Sequence, residues 1–314
     1  MSQNICEYLR ERIITELFTS LNTFDYCWPV WKAEINSYIG EITPTNIINL
    51  GDRLSDIFRS TGEKGRSQSE VSGGGTVWEA LVCWYMNLCL LESRTVVIKH
   101  KKQLIPEPVR QAITVKYGTF PSNTESDLIA ITFPDKPDYL IMDKYDITAR
   151  DKNGNMIKPL VGRDKYNYTP IIDYLSDRDF NDYEIGIIQC KTNWNDNAQI
   201  PMLWDMIYAS NGSFSRNITI GSSAYSIRNI RKFTYSFVTV PTTSGKITSE
   251  STCVKRVQNI SGGNYWGRAT QPSVAHSIKD IFGNNFTSGT PNGIRSSLSN
   301  ALPKLYTHYS YFRL

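Results

Sequence analysis

Two short segments carry residue types that could do chemistry together. One holds Asp138, directly after Pro137; the other holds Gln189 and Lys191, flanking Cys190. In an extended strand successive side chains point to opposite faces, so Gln189 and Lys191 share a face and Cys190 points into the opposite layer. Glu184 has the parity of Cys190 and is not expected on the Gln189 face. Asp138 follows a proline that holds the chain extended, and the pattern places it at the start of the second strand of a hairpin. If the two strands are neighbours, Asp138, Gln189 and Lys191 converge at one sheet edge. A carboxylate, an amide oxygen and the backbone carbonyl of Cys190 are hard oxygen donors suited to Mg²⁺. Such an ion polarises a phosphate and lowers the pKa of a water. The Lys191 ammonium would sit against the attacking water or the charge developing on phosphorus. Each signal alone is weak: a PD dipeptide is ordinary in turns, as Pro134-Asp135 illustrates, and Gln and Lys are ordinary on strand surfaces.

The elements that must position these residues read as a mixed α/β core. Asp127–Phe133 predicts one strand of the hairpin, a Pro-Asp-Lys-Pro turn follows, and Asp138–Asp143 predicts the other. Tyr183–Lys191 predicts a buried strand leading into a polar loop (TNWND) and a helix at Ala198–Tyr208, and Arg231–Val240 a further strand. Upstream, Ile5, Leu9, Ile13, Leu17 and Leu21 recur every four residues, an amphipathic helix. A second helical pattern covers Thr45–Ser60 with Thr45 as its cap. Thr61–Gly75 is a Gly/Ser-rich loop, Thr76–Leu91 an almost continuously apolar and therefore buried helix, and Arg94–Lys99 a β-branched strand. The polar stretch Asp146–Asp182 reads as an insertion, and Ser273–Phe282 as a short helix after the Gly-rich loop Ser261–Arg268.

The array Pro137-Asp138…Gln189-Cys190-Lys191 resembles the signature of the PD-(D/E)XK nuclease superfamily, to which most Type II restriction endonucleases belong. Ser72–Leu88 and Thr192–Tyr208 are also similar to blocks of bacterial restriction enzymes, so the resemblance runs from about Gly73 to Tyr208. It implies a mixed central sheet flanked by helices (a restriction-endonuclease-like core) at 71–215, an N-terminal helical region at 1–70, and a C-terminal region at 216–314 for DNA recognition or dimerisation. It implies Mg²⁺-dependent hydrolysis of double-stranded DNA at a short sequence, leaving 5′-phosphates. Asp138 would be the main metal ligand, Gln189 a neutral ligand or water positioner, and Lys191 the residue orienting the nucleophile. Two departures stand out: the second acid is glutamine, and the interval from Asp138 to Gln189 is long. Many members place a glutamate on a helix before the hairpin, and Glu79, an acid amid Trp78, Ala80, Leu81 and Val82, fits that position; a capping or solvated glutamate is its structural alternative.

Candidate DNA contacts are Asn193, Asn195 and Asn197 beside the site, the basic cluster Arg228, Arg231 and Lys232 for phosphates, and Asn264, Tyr265, Trp266 and Arg268 as a base-reading loop. Turn formers, a solvated face and a structural turn are the respective alternatives. A two-fold symmetric DNA site needs two active centres, so a homodimer is expected. A repair or junction-resolving nuclease on the same core, and a non-cleaving DNA-binding protein with a decayed site, remain open.

Composition narrows the classes. Thirty-four Lys+Arg against 30 Asp+Glu gives a net charge of +4, compatible with a polyanion partner without requiring one. No apolar run approaches the roughly 20 residues that cross a bilayer. No GxxxxGK appears, so no nucleotide cofactor is expected. Six scattered cysteines and three histidines lack zinc spacing, and the charged first helix is unlike a secretory leader. A bacterial cytoplasmic protein with reduced thiols is the expectation.

Overall fold

The computed structural model describes residues 2–61, 74–99, 101–122, 126–163, 165–192, 218–222, 224–240, 247–258 and 260–314. Apolar, β-branched runs build a central mixed sheet that has six strands among the described residues, in the order β1 (Thr95–Lys99), β2 (Leu128–Thr132), β3 (Glu184–Lys191), β4 (Lys232–Thr239), β5 (Gly263–Trp266), β6 (His276–Ser277). β2 runs antiparallel to both β1 and β3, and β3, β4, β5 and β6 are parallel. Every residue of β2 is buried, and β3 is buried up to its last residue, Lys191. Both sheet faces are therefore covered, as continuous rather than alternating hydrophobicity requires. One hydrophobic core runs from Ile5 to Phe312.

Helices α1 (Ile5–Ser20), α2 (Asn22–Ile39), α3 (Pro44–Asn49) and α4 (Leu54–Ser60) precede the long helix α5 (Gly74–Cys89). Thr43, not Thr45, caps α3, accepting the N–H of Asn46 with Pro44 in the first turn. A 3₁₀ turn at Leu50–Arg53 splits the predicted second helix. Gly51 lies there so close to the Tyr85 hydroxyl that a Cβ would sit 2.5 Å from it.

Helix α5 fixes its position on β1 through one stripe. Glu79, Cys83 and Asn87 stand four residues apart and so line up along the helix. The Asn87 amide donates to the carbonyl of Val97 (2.7 Å) and accepts the Val97 N–H (3.1 Å), and the Cys83 thiol donates to the same carbonyl. A buried amide satisfied on both sides locks the helix in register. Glu79, one turn further toward the helix start, is thereby carried to Lys99 at the end of β1.

Several expectations are corrected. Residues 138–143 form no strand: Pro137–Leu140 is a single helical turn. The Tyr139 hydroxyl lies 3.1 Å from both Leu175 O and the Asp179 carboxylate, sharing its one proton between them, and its ring stacks on Phe133; this burial overrides the extended reading of the Pro-Asp pair. The neighbours of β2 are β1 and β3. The stretch 146–182 contains helix α6 (Tyr168–Arg178). Ser261–Arg268 contains strand β5 instead of a loop, and the helix expected at Ser273–Phe282 reduces to Ile281–Asn285 after a 3₁₀ turn. The helix expected at Ala198–Tyr208 lies outside the described residues. Among the described residues no helix is long and apolar enough to cross a membrane.

Candidate active site

Strand register brings charged residues from four elements to one edge of the sheet. Leu128 pairs with Ile188, so one residue further along each strand Asp127, at the start of β2, stands opposite Gln189. Lys99 pairs with Leu128, which puts the end of β1 at the same edge. Lys191 pairs with Thr239 and Thr239 with Trp266, so β3, β4 and β5 end level. By alternation Asp127, Gln189 and Lys191 share one face, while Lys99 and Cys190 share the face that α5 covers. The edge therefore receives acid and base from both sides.

The hydrogen bonds give this edge its geometry. The Asp127 carboxylate accepts the backbone N–H of Cys190 at 2.8 Å, fastening the start of β2 to the middle residue of Gln189-Cys190-Lys191. Gln189 is buried, and its amide oxygen accepts from the Tyr235 hydroxyl on β4. Its amide N–H₂ is left to donate. Glu79 is ion-paired with Lys99, and both side chains are 18% exposed. Burial raises the Glu79 carboxyl above its ordinary pKa; the Lys99 and Lys191 charges oppose that rise, and the Asp127 charge adds to it. Glu79, Asp127 and Lys191 are thus electrostatic neighbours. Among the described residues Lys191 makes no ion pair.

Thiol chemistry has no foothold here. All six cysteines are buried and none is in a disulfide among the described residues, and burial pushes the Cys83 thiol up to about 12 and the Cys190 thiol well above its ordinary value. For a divalent ion the oxygen donors at hand are the Asp127 and Glu79 carboxylates and the Cys190 carbonyl. Among the described residues no group of three or more Asp, Glu, His or Cys side chains assembles. Two carboxylates, a main-chain carbonyl and water suit Mg²⁺, which keeps several waters.

Asp138, the acid expected beside Lys191, is elsewhere. It pairs with Arg178 at 2.8 Å, next to the Asp179–Lys136–Asp182 group that surrounds the start of β3. Lys191 ends that strand seven residues on, about 23 Å away at 3.3 Å per residue. Arg231 and Lys232 also lie at this far end, Arg231 paired with Glu184 and Lys232 donating to Asn285 O, and Arg228 is exposed in the segment before them. Asn264, Tyr265 and Trp266 are buried in β5, where the Asn264 amide nitrogen donates to Val274 O, the Tyr265 hydroxyl accepts from Asn284 and the Trp266 indole donates to Ala269 O, so they are packed within the fold instead of forming a reading loop. Arg268, two residues beyond, emerges at the Lys191 edge. Asn193, Asn195 and Asn197 lie outside the described residues.

Sequence reasoning passed over Asp127, Lys99 and Tyr235. Lys99 had a signal: like Lys191, it is a lysine closing an apolar run (TVVIK), and a half-buried ammonium needs a partner. Asp127 opens its strand as Asp138 was expected to, with serine in place of proline before it. No family model matches the chain, and no curated protein matches it.

Proposed function

We propose that the chain is a Mg²⁺-dependent endonuclease of double-stranded DNA, of the Type II restriction kind, with Asp127 in the role the sequence pattern offered to Asp138. One observation carries the reading: an acid opening the strand next to Gln189-Cys190-Lys191 is held by a hydrogen bond to that tripeptide, with Glu79 from the preceding helix beside it. This is the constellation implied by the PD-(D/E)XK resemblance, reached through a different aspartate.

Asp127, the Cys190 carbonyl and Glu79 are the groups that would hold Mg²⁺, and the bound ion would supply Lewis-acid polarisation of the scissile phosphate. Lys191 faces the attacking water and the developing charge on phosphorus. Gln189, its oxygen engaged by Tyr235, offers amide hydrogens to a phosphate oxygen. Lys99 neutralises Glu79 and limits repulsion between the two carboxylates. Water adds to phosphorus, the P–O3′ bond breaks, and the proton passes to the leaving 3′ oxygen, leaving a 5′-phosphate. Cutting both strands of a symmetric site would use a homodimer.

The test is digestion of a sequenced phage genome with Mg²⁺, alongside Lys191→Ala. Discrete fragments from the wild type and none from the variant support the reading; no metal-dependent cutting removes it. A second reading, DNA binding without cleavage, draws on the partners that Gln189 and Glu79 already have. Retention of duplex without cutting in either Mg²⁺ or Mn²⁺ would select it.

A further inference from the structure

We propose that the cleft between the α3–α4 segment and the residues after β5 holds the sugar–phosphate backbone of the DNA beside the cut, with Arg268 as its central contact. The proposal rests on the nuclease reading and adds a substrate track to it.

The cleft has a volume of about 550 Å³ and is bounded by Tyr38, Asn46, Arg53, Asp56, Arg268 and Lys279. Each of its acids faces a cation. Asp52 pairs with Lys279 at 2.5 Å, and Asp56 lies 3.7 Å from Arg53, whose guanidinium also rests over the Tyr38 ring. Arg268 has no such partner: among the described residues it makes no ion pair or hydrogen bond. It stands instead close to a second guanidinium, Arg59. Burial lowers the Arg59 pKa, the Arg268 charge lowers it further, and the Asp56 charge opposes both. A half-buried guanidinium with no acid of its own is stabilised by an anion, and its fork matches phosphate oxygens.

The backbone that carries Arg268 is fixed. Gly267 donates to Thr239 O (3.2 Å) and accepts the Ser55 N–H (2.9 Å). A Cβ at Gly267 would meet the Ser55 nitrogen at 2.7 Å and the Trp78 ring at 3.0 Å, so the close approach requires glycine. Trp78 immediately precedes Glu79. The guanidinium therefore hangs from a point tied to the sheet edge and to α4 and packed against the Trp78 ring of the helix bearing Glu79, an arrangement set before any ligand arrives. Because Lys191, Thr239 and Trp266 are level, the end of β5 lies two strands from Lys191, about 10 Å at the usual spacing. About three nucleotides of duplex rise, at roughly 3.4 Å each, cover that separation. A strand with its scissile phosphate at Lys191 would thus bring a neighbouring phosphate to Arg268.

The experiment is fluorescence anisotropy of two unrelated labelled duplexes with EDTA present, titrated across salt concentrations, for the wild type, Arg268→Ala and Arg268→Lys, with melting curves to confirm folding. Arg268→Ala should bind about tenfold more weakly and flatten the slope of log affinity against log salt by about 0.9, equally for both duplexes. Arg268→Lys should keep the slope and lose only part of the affinity, and it carries the test if Arg268→Ala melts early. Unchanged affinity and slope for Arg268→Ala would overturn the track and leave the nuclease reading standing on Mg²⁺-dependent cutting by the wild type. A loss confined to one duplex would make Arg268 a base reader and overturn the backbone role. A wild-type chain that neither binds nor cuts duplex would remove both.

Discussion

The two ends of β3 hold similar sets of charged groups and treat them in opposite ways. At its start, Asp179 is almost wholly buried and receives Lys136 (2.7 Å), Arg178 (2.6 Å) and the Tyr139 hydroxyl (3.1 Å); Asp138 shares Arg178, Asp182 shares Lys136, and Glu184 accepts from Ser288. Charge there is neutralised within the fold. At its end, Asp127 is held by a backbone N–H, Glu79 shares one lysine, and Lys191 has no ion pair among the described residues. Among the described residues the Lys191 ammonium at that end is left without a counter-charge. The Pro-Asp pair sits at the first end and Gln-Cys-Lys at the second, so two segments that look paired in sequence stand apart in space.

This contrast can be broken in order of expected effect. Lys191→Ala should lower the DNA cleavage rate about a thousandfold with an unchanged melting temperature; a variant that cuts normally would place the chemistry away from this edge. Glu79→Gln, which keeps the shape and removes the charge that Lys99 balances, should cost about a hundredfold in rate or in Mg²⁺ requirement, and normal cutting at ordinary Mg²⁺ would reduce Glu79 to a structural partner of Lys99. Asp179→Asn should leave the cleavage rate alone and cost about 2 kcal/mol of stability, because it removes the buried charge on which Lys136 and Arg178 converge and leaves each cation one partly exposed acid; calorimetry with no downward shift in melting temperature would dissolve the contrast between the ends. Burial pushes the Asp179 carboxyl up, but the hydrogen bonds from Arg178 and Lys136 more than offset it and hold its pKa below the ordinary value. A depressed acid stabilises the fold above its unfolded pKa and stops doing so as pH falls through the folded value. The deficit of Asp179→Asn should therefore be full near neutrality and shrink below about pH 4. Asp138→Asn should be the mildest in stability, about 0.5 kcal/mol, since the pair it breaks is partly exposed.

What was legible in the sequence follows a physical line. Local patterning placed the buried helix and four central strands to within a residue or two, because β-branched runs such as TVVIK and EIGIIQC fit little else. Alternation placed Gln189 and Lys191 on one face and Cys190 on the other. Which acid stands opposite Gln189 is a question of strand pairing, and nothing local to Asp127 or Asp138 encodes the Leu128–Ile188 register. The Gly-Gly-Asn segment before Tyr265 reads as a loop for a different reason. A Cβ at Gly262 would lie 2.3 Å from the Ser236 hydroxyl and 2.8 Å from the Tyr235 carbonyl, so glycine serves a close approach of chains there, not a flexible turn. Arg268 is partly exposed, while its three predicted companions are part of the sheet layer.

The most direct measurement compares Mg²⁺-dependent cleavage of plasmid DNA by Asp127→Asn and Asp138→Asn under matched conditions, with both melting temperatures in hand. If Asp127 is the acid of the site, its variant loses about a thousandfold in rate and the Asp138 variant cuts within about twofold of the wild type. The reverse order, with Asp138→Asn inactive and Asp127→Asn active, would contradict the assignment of function to the Lys191 end of the sheet.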